Sequence, residues 1–465
     1  MNAMIASPTD WPAADRELIL DSMLAGRAYT YAASLCEVAE HRFAGSPGDR
    51  AAATYARSTM AVIGLANIQA EPFPITAWQR GRTELVMLAP QRRRLDALAL
   101  VYTPSCVIEG ELVDVGYGTE EEFAAAGEAV NGRLVLVRSD SPPALRRKMY
   151  RGEKALQARS HGAAGLVIAN AAMGQLTLAG SLGFSGDSIL PAVSVSCETG
   201  EAMRRRLRAD GAVRLRLEMK HATRPETTHN VVGDLPGRLW PERYLLVAAH
   251  YDSHDLCAGA RDDAGGLGIT LEIARLLAGI PGGVGRTVRF IAFGAEELAL
   301  LGSEAYAATH EAELDAYDLL LDLDCAGRPG PKDFCVHNWP TLRELLKSSS
   351  EHIADLGYAD SSPSTHMDHF QFYLRGVPTA TLAGTTRSGP DPKDAYHHTT
   401  ADTLDKLNAE DLQAEALRAA RGILRLSWAW PWPAVRRSTA EVRQLLQTTG
   451  LKTNLAAEGR FPFGT

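Results

Sequence analysis

The stretch YLLVAAHYDSHDLCAGARDDAGG, residues 244–266, decides the fold. It opens on YLLVAAH, an apolar run with no polar break before the histidine, which predicts a strand buried on both faces. It closes on Gly265-Gly266 and runs into an apolar segment that predicts a helix over 263–278. The same grammar recurs downstream: VRFIAFG (288–294) reads as a strand, a helix follows from about 296, and LLLDLD (319–324) reads as another strand. Apolar strands alternating with helices predict a three-layer α/β sandwich, its mostly parallel central sheet flanked by helices.

Polar residues sit where these strands end. His250 closes the first, Glu296 and Glu297 follow the second in FGAEEL, and Asp324 closes the third. Ligands of open α/β sheets bind beyond the carboxyl ends of the strands, so these acids and imidazole are expected to converge on one crevice. His250 and Asp252 are two apart on extended chain and share a side, which lets the carboxylate orient the imidazole. Asp262 lies just before the glycine-rich helix start. Hydrolytic sites with two divalent ions need one carboxylate that bridges them and terminal ligands on each. Nitrogen and carboxylate oxygen without sulfur suit Zn²⁺, and the donors suffice for two ions.

Upstream, residues 12–75 read as helices broken at RFAGSPGDR, with Asp49 as a cap for the helix after the break. Residues 84–140 change to short β-rich runs. RLVLVRS (133–139), GLVIAN (165–170) and LPAVSVS read as strands, with a helix over GEKALQARSHGA. At 465 residues, 45% hydrophobic and 22% charged, the chain has material for one large core and a smaller one. Its net charge of −8 leaves no basic field for phosphates, so nucleic acid is not an expected partner. The six cysteines are scattered with no C-x-x-C pair, and reduced thiols are expected. HEAEL (310–314) lacks the second histidine of H-E-x-x-H, and neither GFSGD nor GGVGRT fits a nucleophile or phosphate-loop pattern.

AHYDS followed by DD, then AFGAEELALLGS, LDLDCAG and HHTTADTLDKL, resembles the di-zinc aminopeptidase family that also contains glutamate carboxypeptidase II and carboxypeptidase Q. The likeness runs in order over roughly 230–430. The segment from GRLVLVRS to LPAVSVS is similar to a protease-associated domain, an insertion in several members, and RFAGSPG resembles the entry to the catalytic domain. The resemblance implies a peptidase domain split into residues 1–95 and 222–465, with a β-rich α/β insertion at 96–221. It implies that His250 and Asp324 serve the zincs, that Asp262 bridges them, and that Glu297 and one histidine of YHHTTADT complete the set. Glu296 resembles the catalytic base, which takes a proton from the attacking water and returns it to the leaving amine. Tyr396 directly before His397 favours His397 as the last ligand, whereas the spacing to Asp402-Thr403 favours His398, which is preferred here. His397 then takes the position of an oxyanion stabiliser or of a plain loop residue.

Four features depart from the family pattern or add to it. Arg261 is expected to pair with Asp263 or Asp255, with a substrate carboxylate as the alternative. MDHFQF (367–372) keeps Asp368 and His369 but loses an expected serine, which points to altered substrate reading near the site. Cys257 and Cys325 are expected to be packing residues. The tail around Trp428, Trp430 and Trp432 is expected to pin a terminal helix to the core, with a homodimer contact as the alternative.

The sequence thus points to a zinc-dependent exopeptidase acting on peptides, with aminopeptidase ahead of carboxypeptidase or dipeptidase. A non-catalytic scaffold of the same architecture is the alternative from another class, and the complete ligand set with Glu296 argues against it. The first thirty residues lack a basic n-region with an uninterrupted apolar core. No later run approaches the ~20 apolar residues of a spanning helix. A cytoplasmic, membrane-free protein is expected on that ground, while secreted relatives keep export open.

Overall fold

The computed structural model describes residues 10–145, 147–183, 190–330, 332–350, 353, 356–384 and 395–463. The chain opens with helices Trp11–Ala25, Ala28–Val38 and Pro47–Ile63, then enters β1 (Ala66–Gln79). A second sheet follows, built from β2 (Thr83–Ala89), β3 (Arg93–Leu95), β4 (Ala97–Ala99), β5 (Cys106–Asp114), β6 (Leu134–Arg138), β7 (Gly165–Ala169), β8 (Ala192–Val195) and β9 (Arg214–Met219). The chain returns to the first sheet with β10 (Ala222–Leu235), β11 (Trp240–His250), β12 (Arg286–Phe293), β13 (Tyr317–Asp322), β14 (Lys332–His337), β15 (Leu356–Ser361) and β16 (Thr379–Gly384).

The first sheet has the order β1-β10-β12-β11-β13-β16-β14-β15. Its centre, β12, β11, β13 and β16, is parallel, and β10 and β14 flank it antiparallel. Strand alternation divides β11 between two cores: Leu245, Val247 and Ala249 face one, and Leu246 and Ala248 face the other. Helices Gly265–Ala278, Ala28–Val38 and Ala409–Ser427 cover the first face, and Leu301–Thr309 and His369–Leu374 cover the second. Each fully buried aliphatic side chain contributes roughly 1.5–3 kcal/mol, so neither face can be given up and the strand ends are fixed in space. This is the α/β sandwich expected from the sequence.

The second sheet has the order β3-β2-β9-β5-β6-β7-β8-β4, with β5 to β8 parallel. The strands and helix expected over 133–196 are present as β6, the helix Arg151–Ser160, β7 and β8. β2 and β3 pair within this sheet, which therefore begins at Thr83, before residue 96.

Three local expectations are corrected. The helix expected to reach residue 75 ends at Ile63, and Ala66–Gln79 is strand β1, paired with β10 at the sheet edge. Pro72 and Pro74 deny helical hydrogen bonds but are tolerated on an edge strand. Asp49 is not the cap of Pro47–Ile63: Ser46 is, accepting from the Asp49 N–H at 3.1 Å. The helix expected from about 296 begins at Leu301, because Ala295, Ala299 and Leu300 hold φ values of 56°, 75° and 65°, outside any right-handed helix.

The tail is pinned as expected. Trp428 donates to the Gly283 carbonyl at 3.2 Å, Trp430 stacks on Trp240, and the Arg286 guanidinium lies over the rings of both Trp240 and Trp432. Among the described residues no helix is long and apolar enough to cross a membrane.

Candidate metal centre

Three strand ends and two loops bring the expected ligands together. His250 ends β11, and its Nε2 lies 3.1 Å from Asp262 Oδ1 and 3.8 Å from Asp324 Oδ1, the latter just past β13. The other oxygen of Asp262, Oδ2, lies 2.9 Å from His398 Nε2, which is 3.3 Å from Glu297 Oε2. One buried carboxylate thus stands between a His250–Asp324 group and a Glu297–His398 group.

The backbone around these ligands is held by carboxylates. Asp252, fully buried, lies 3.4 Å from His250 Nδ1, and its two oxygens accept the N–H groups of Glu296 at 3.0 Å and Glu297 at 3.2 Å. It stands beside the imidazole and fixes the adjacent glutamates through their backbone. Asp402 accepts the N–H groups of Arg261 at 2.8 Å and Asp262 at 3.2 Å. These bonds accompany a non-helical backbone at Asp262 and Asp263, ahead of the helix that starts at Gly265.

Charge is crowded here. Burial, reinforced by neighbouring carboxylates, pushes Glu296 and Asp263 well above the ordinary carboxyl range and Asp324 up to about 7, with His250 opposing. Burial opposes the charged form of His398, but Glu297 and Asp262 raise it to about 9. Asp262 Oδ2 and Asp324 Oδ1 are buried without an aligned hydrogen-bond partner. Orphaned acceptors amid excess negative charge are what divalent cations satisfy, and oxygen and imidazole donors fit Zn²⁺.

The centre opens into a cavity of about 640 Å³ lined by Glu296, Glu297, His397 and His398. The second sheet supplies another wall through Lys148 and Arg151, and the N–H of Ala179 donates to the His398 carbonyl at 2.8 Å. Composition could not reveal this contact, because it depends on how the two sheets dock. His397 lines the same cavity, its ring stacked on His398 and its Nδ1 3.2 Å from Asp262 Oδ2.

Other expectations change. Asp255 pairs bidentately with Arg80 at 2.7 and 2.8 Å, and Asp263 accepts from the Gly266 and Cys325 N–H groups. Cys257 is buried packing, but the Cys325 Sγ faces the centre, 3.6 Å from His397 Nδ1 and 3.8 Å from Asp262 Oδ1. Asp368 and His369 are fully buried; His369 Nδ1 meets Asp322 Oδ2 at 2.8 Å, so this pair braces the end of β13, while His366 and Met367 line the cavity. The sequence reading assigned no role to Lys148, Arg151 or His254, the last buried with Nε2 2.8 Å from Glu297 Oε2. Its signal was a second imidazole four positions after His250, on a loop whose path the sequence does not give.

Residues 230–421 match Peptidase family M28, and residues 100–203 match the PA domain. Carboxypeptidase Q of Mus musculus is 25% identical over 399 residues, covering 84% of this chain and 83% of that protein. Aminopeptidase YwaD of Bacillus subtilis is 27% identical over 405 residues, covering 84% and 82%. A crystal structure of a peptidase M28 precursor from Shewanella amazonensis superposes with a TM-score of 0.78 at 24% identity, covering 93% of this chain and 99% of that one. An aminopeptidase from an Aneurinibacillus strain superposes with a TM-score of 0.65 at 26% identity, covering 87% and 95%. With the ligand geometry already in place, these likenesses support a metallo-exopeptidase, with residues 230–421 similar to Peptidase family M28 and residues 100–203 similar to the PA domain.

Proposed function

We propose that the protein is an aminopeptidase that holds two zinc ions, one on His250 and Asp324 and one on Glu297 and His398, with Asp262 shared between them. The observation that carries this is Asp262 itself, one oxygen facing each donor group at 3.1 and 2.9 Å. Bound there, the ions supply Lewis-acid polarisation of the scissile carbonyl and activation of water at neutral pH. Glu296, held by Asp252 at the cavity wall, takes the proton of the attacking water and returns it to the leaving nitrogen. His397, on the same wall, presents an imidazole to the carbonyl oxygen as negative charge develops. The inserted unit restricts access to chain ends, since its loops form the facing wall.

A second reading, carboxypeptidase or dipeptidase, is favoured by one observation: the inserted unit brings the cations Lys148 and Arg151 to the cavity, where a substrate carboxylate would find a partner. The relatives named above include one protein of each kind. Mass spectrometry of products from short peptides with free or acetylated N-termini, using zinc-loaded protein and Glu296→Gln as the blank, separates the two. Shortening of only the free-amine peptides from the front supports the aminopeptidase. Loss of residues from the back of acetylated peptides replaces it with the carboxypeptidase.

A further inference from the structure

We propose that His254 is an additional zinc ligand, joining Glu297 and His398 at one of the two ion positions; the proposal rests on the di-zinc reading above. His254 is 2% exposed, and its Nε2 lies 2.8 Å from Glu297 Oε2. That contact lacks the alignment of a hydrogen bond: both ring nitrogens of His254 are buried without a hydrogen-bond partner. A buried imidazole compensated only by this misaligned contact with Glu297 recovers little of its desolvation cost, which a bound ion would offset. Its ring meets that of His398 edge-on at 4.4 Å, and the donor atoms of His254, Glu297 and His398 lie within 4.8 Å of one another. Donors bound to one tetrahedral Zn²⁺ at about 2.0–2.1 Å stand roughly 3.3 Å apart, the separation of His398 Nε2 and Glu297 Oε2.

The loop bearing His254 is built to hold it. Arg42, fully buried, donates its backbone N–H to the Ser253 hydroxyl oxygen at 2.9 Å and its guanidinium N–H groups to the carbonyls of Tyr251, Ala258 and Gly259. On the other side of His254, Asp255 is gripped bidentately by Arg80 from the end of β1. Residues 253 and 255 are thus clamped from two separate elements, and the imidazole between them is placed before any ion arrives. Preorganisation of this kind distinguishes a ligand from a side chain that drifts near one.

The consequence is asymmetry. Asp262, Glu297, His398 and His254 would give one ion four protein donors, as in closed structural zinc sites, whereas His250, Asp324 and Asp262 would give the other three, as in catalytic sites. The test is ¹¹³Cd-substituted full-length protein with ¹⁵N-labelled histidine, read by nuclear magnetic resonance. Cadmium coupling to His250, His398 and a third imidazole, the third signal vanishing in His254→Ala, is the expected result. Chelator titration followed by metal analysis adds a second readout. Wild type should release its two ions in separate steps, and His254→Ala should lose the later step, with affinity at that position lowered at least ~10-fold. Coupling to only two imidazoles in the wild type overturns the proposal and leaves the di-zinc reading standing. Failure to bind metal at all overturns that reading itself. Should His254→Ala not fold, persistence of the third signal in His397→Ala assigns it to His254, and its loss there overturns the proposal, since His397 is the other imidazole beside Asp262.

Discussion

The two sheets of this protein divide its labour. In the first, the parallel centre is packed by helices on both faces, and His250, Asp252, Asp262, Glu296, Glu297 and Asp324 all stand at or just beyond the ends of its strands. The second contributes cavity wall rather than any of the expected ligands: Lys148, Arg151 at the start of its helix, Ile168 at the end of β7, and the Ala179 N–H that holds the His398 carbonyl. The difference teaches that reaction chemistry is placed where backbone position is over-determined by packing. Access is placed on loops of a separately packed unit that can vary without moving the ligands.

That division can be broken or sharpened by experiment. The largest effect belongs to the first sheet: Glu296→Gln should lower kcat by ~10²- to 10⁴-fold while the zinc content stays as in the wild type. Chelation should abolish activity reversibly and lower the melting temperature, since ions that bind only the folded state stabilise it. Next comes packing: Leu217→Ala, in the core of the second sheet, should cost ~2–5 kcal/mol, read as a lowered melting transition with zinc stoichiometry preserved. Loss of zinc in that variant would show that the two units are not independent. A smaller effect is expected at the facing wall, where Lys148→Ala should raise KM by ~10-fold for substrates whose carboxylate reaches it, with kcat little changed. The same shift for substrates without that carboxylate would remove its role in access.

The smallest lies at the junction of the sheets. His221, between β9 and β10 and packed on Trp78 at 4.9 Å, is lowered to about 4 by burial and by the Arg80 charge. Its folded value lies below the ordinary 6.5, so the unfolded chain binds the proton more tightly. The stabilising contribution is present above pH 6.5 and is lost as pH falls through about 4. His221→Gln should flatten the melting temperature across that window, and an unchanged slope would contradict the assignment.

Much of the first sheet and its centre was legible in the sequence because continuous apolar runs mark doubly buried strands, and polar residues at their ends mark the crevice. His250, Glu297 and Asp324 lie together beyond those strand ends, and Asp262 lies with them; His398, which only the family resemblance singled out, joins the same cluster. What was not legible depends on tertiary partners. β1 reads as helix through its alanine-rich approach despite Pro72 and Pro74, and its pairing with β10 makes it a strand. The segment after Phe293 reads as helix until Asp252 captures the Glu296 and Glu297 N–H groups. His254 has a role only because Arg42 and Arg80, more than 170 residues away in sequence, clamp its loop. Cys325, expected to pack, turns its thiol toward Asp262 because its backbone adopts φ of 55°.

The central claim is that Asp262 joins two metal positions. Diffraction from crystals of the zinc-loaded protein, measured on both sides of the zinc absorption edge, tests it directly. Two anomalous peaks about 3.5–4 Å apart, one on either oxygen of Asp262, are predicted. A single peak, or two peaks that do not share Asp262, would contradict the account.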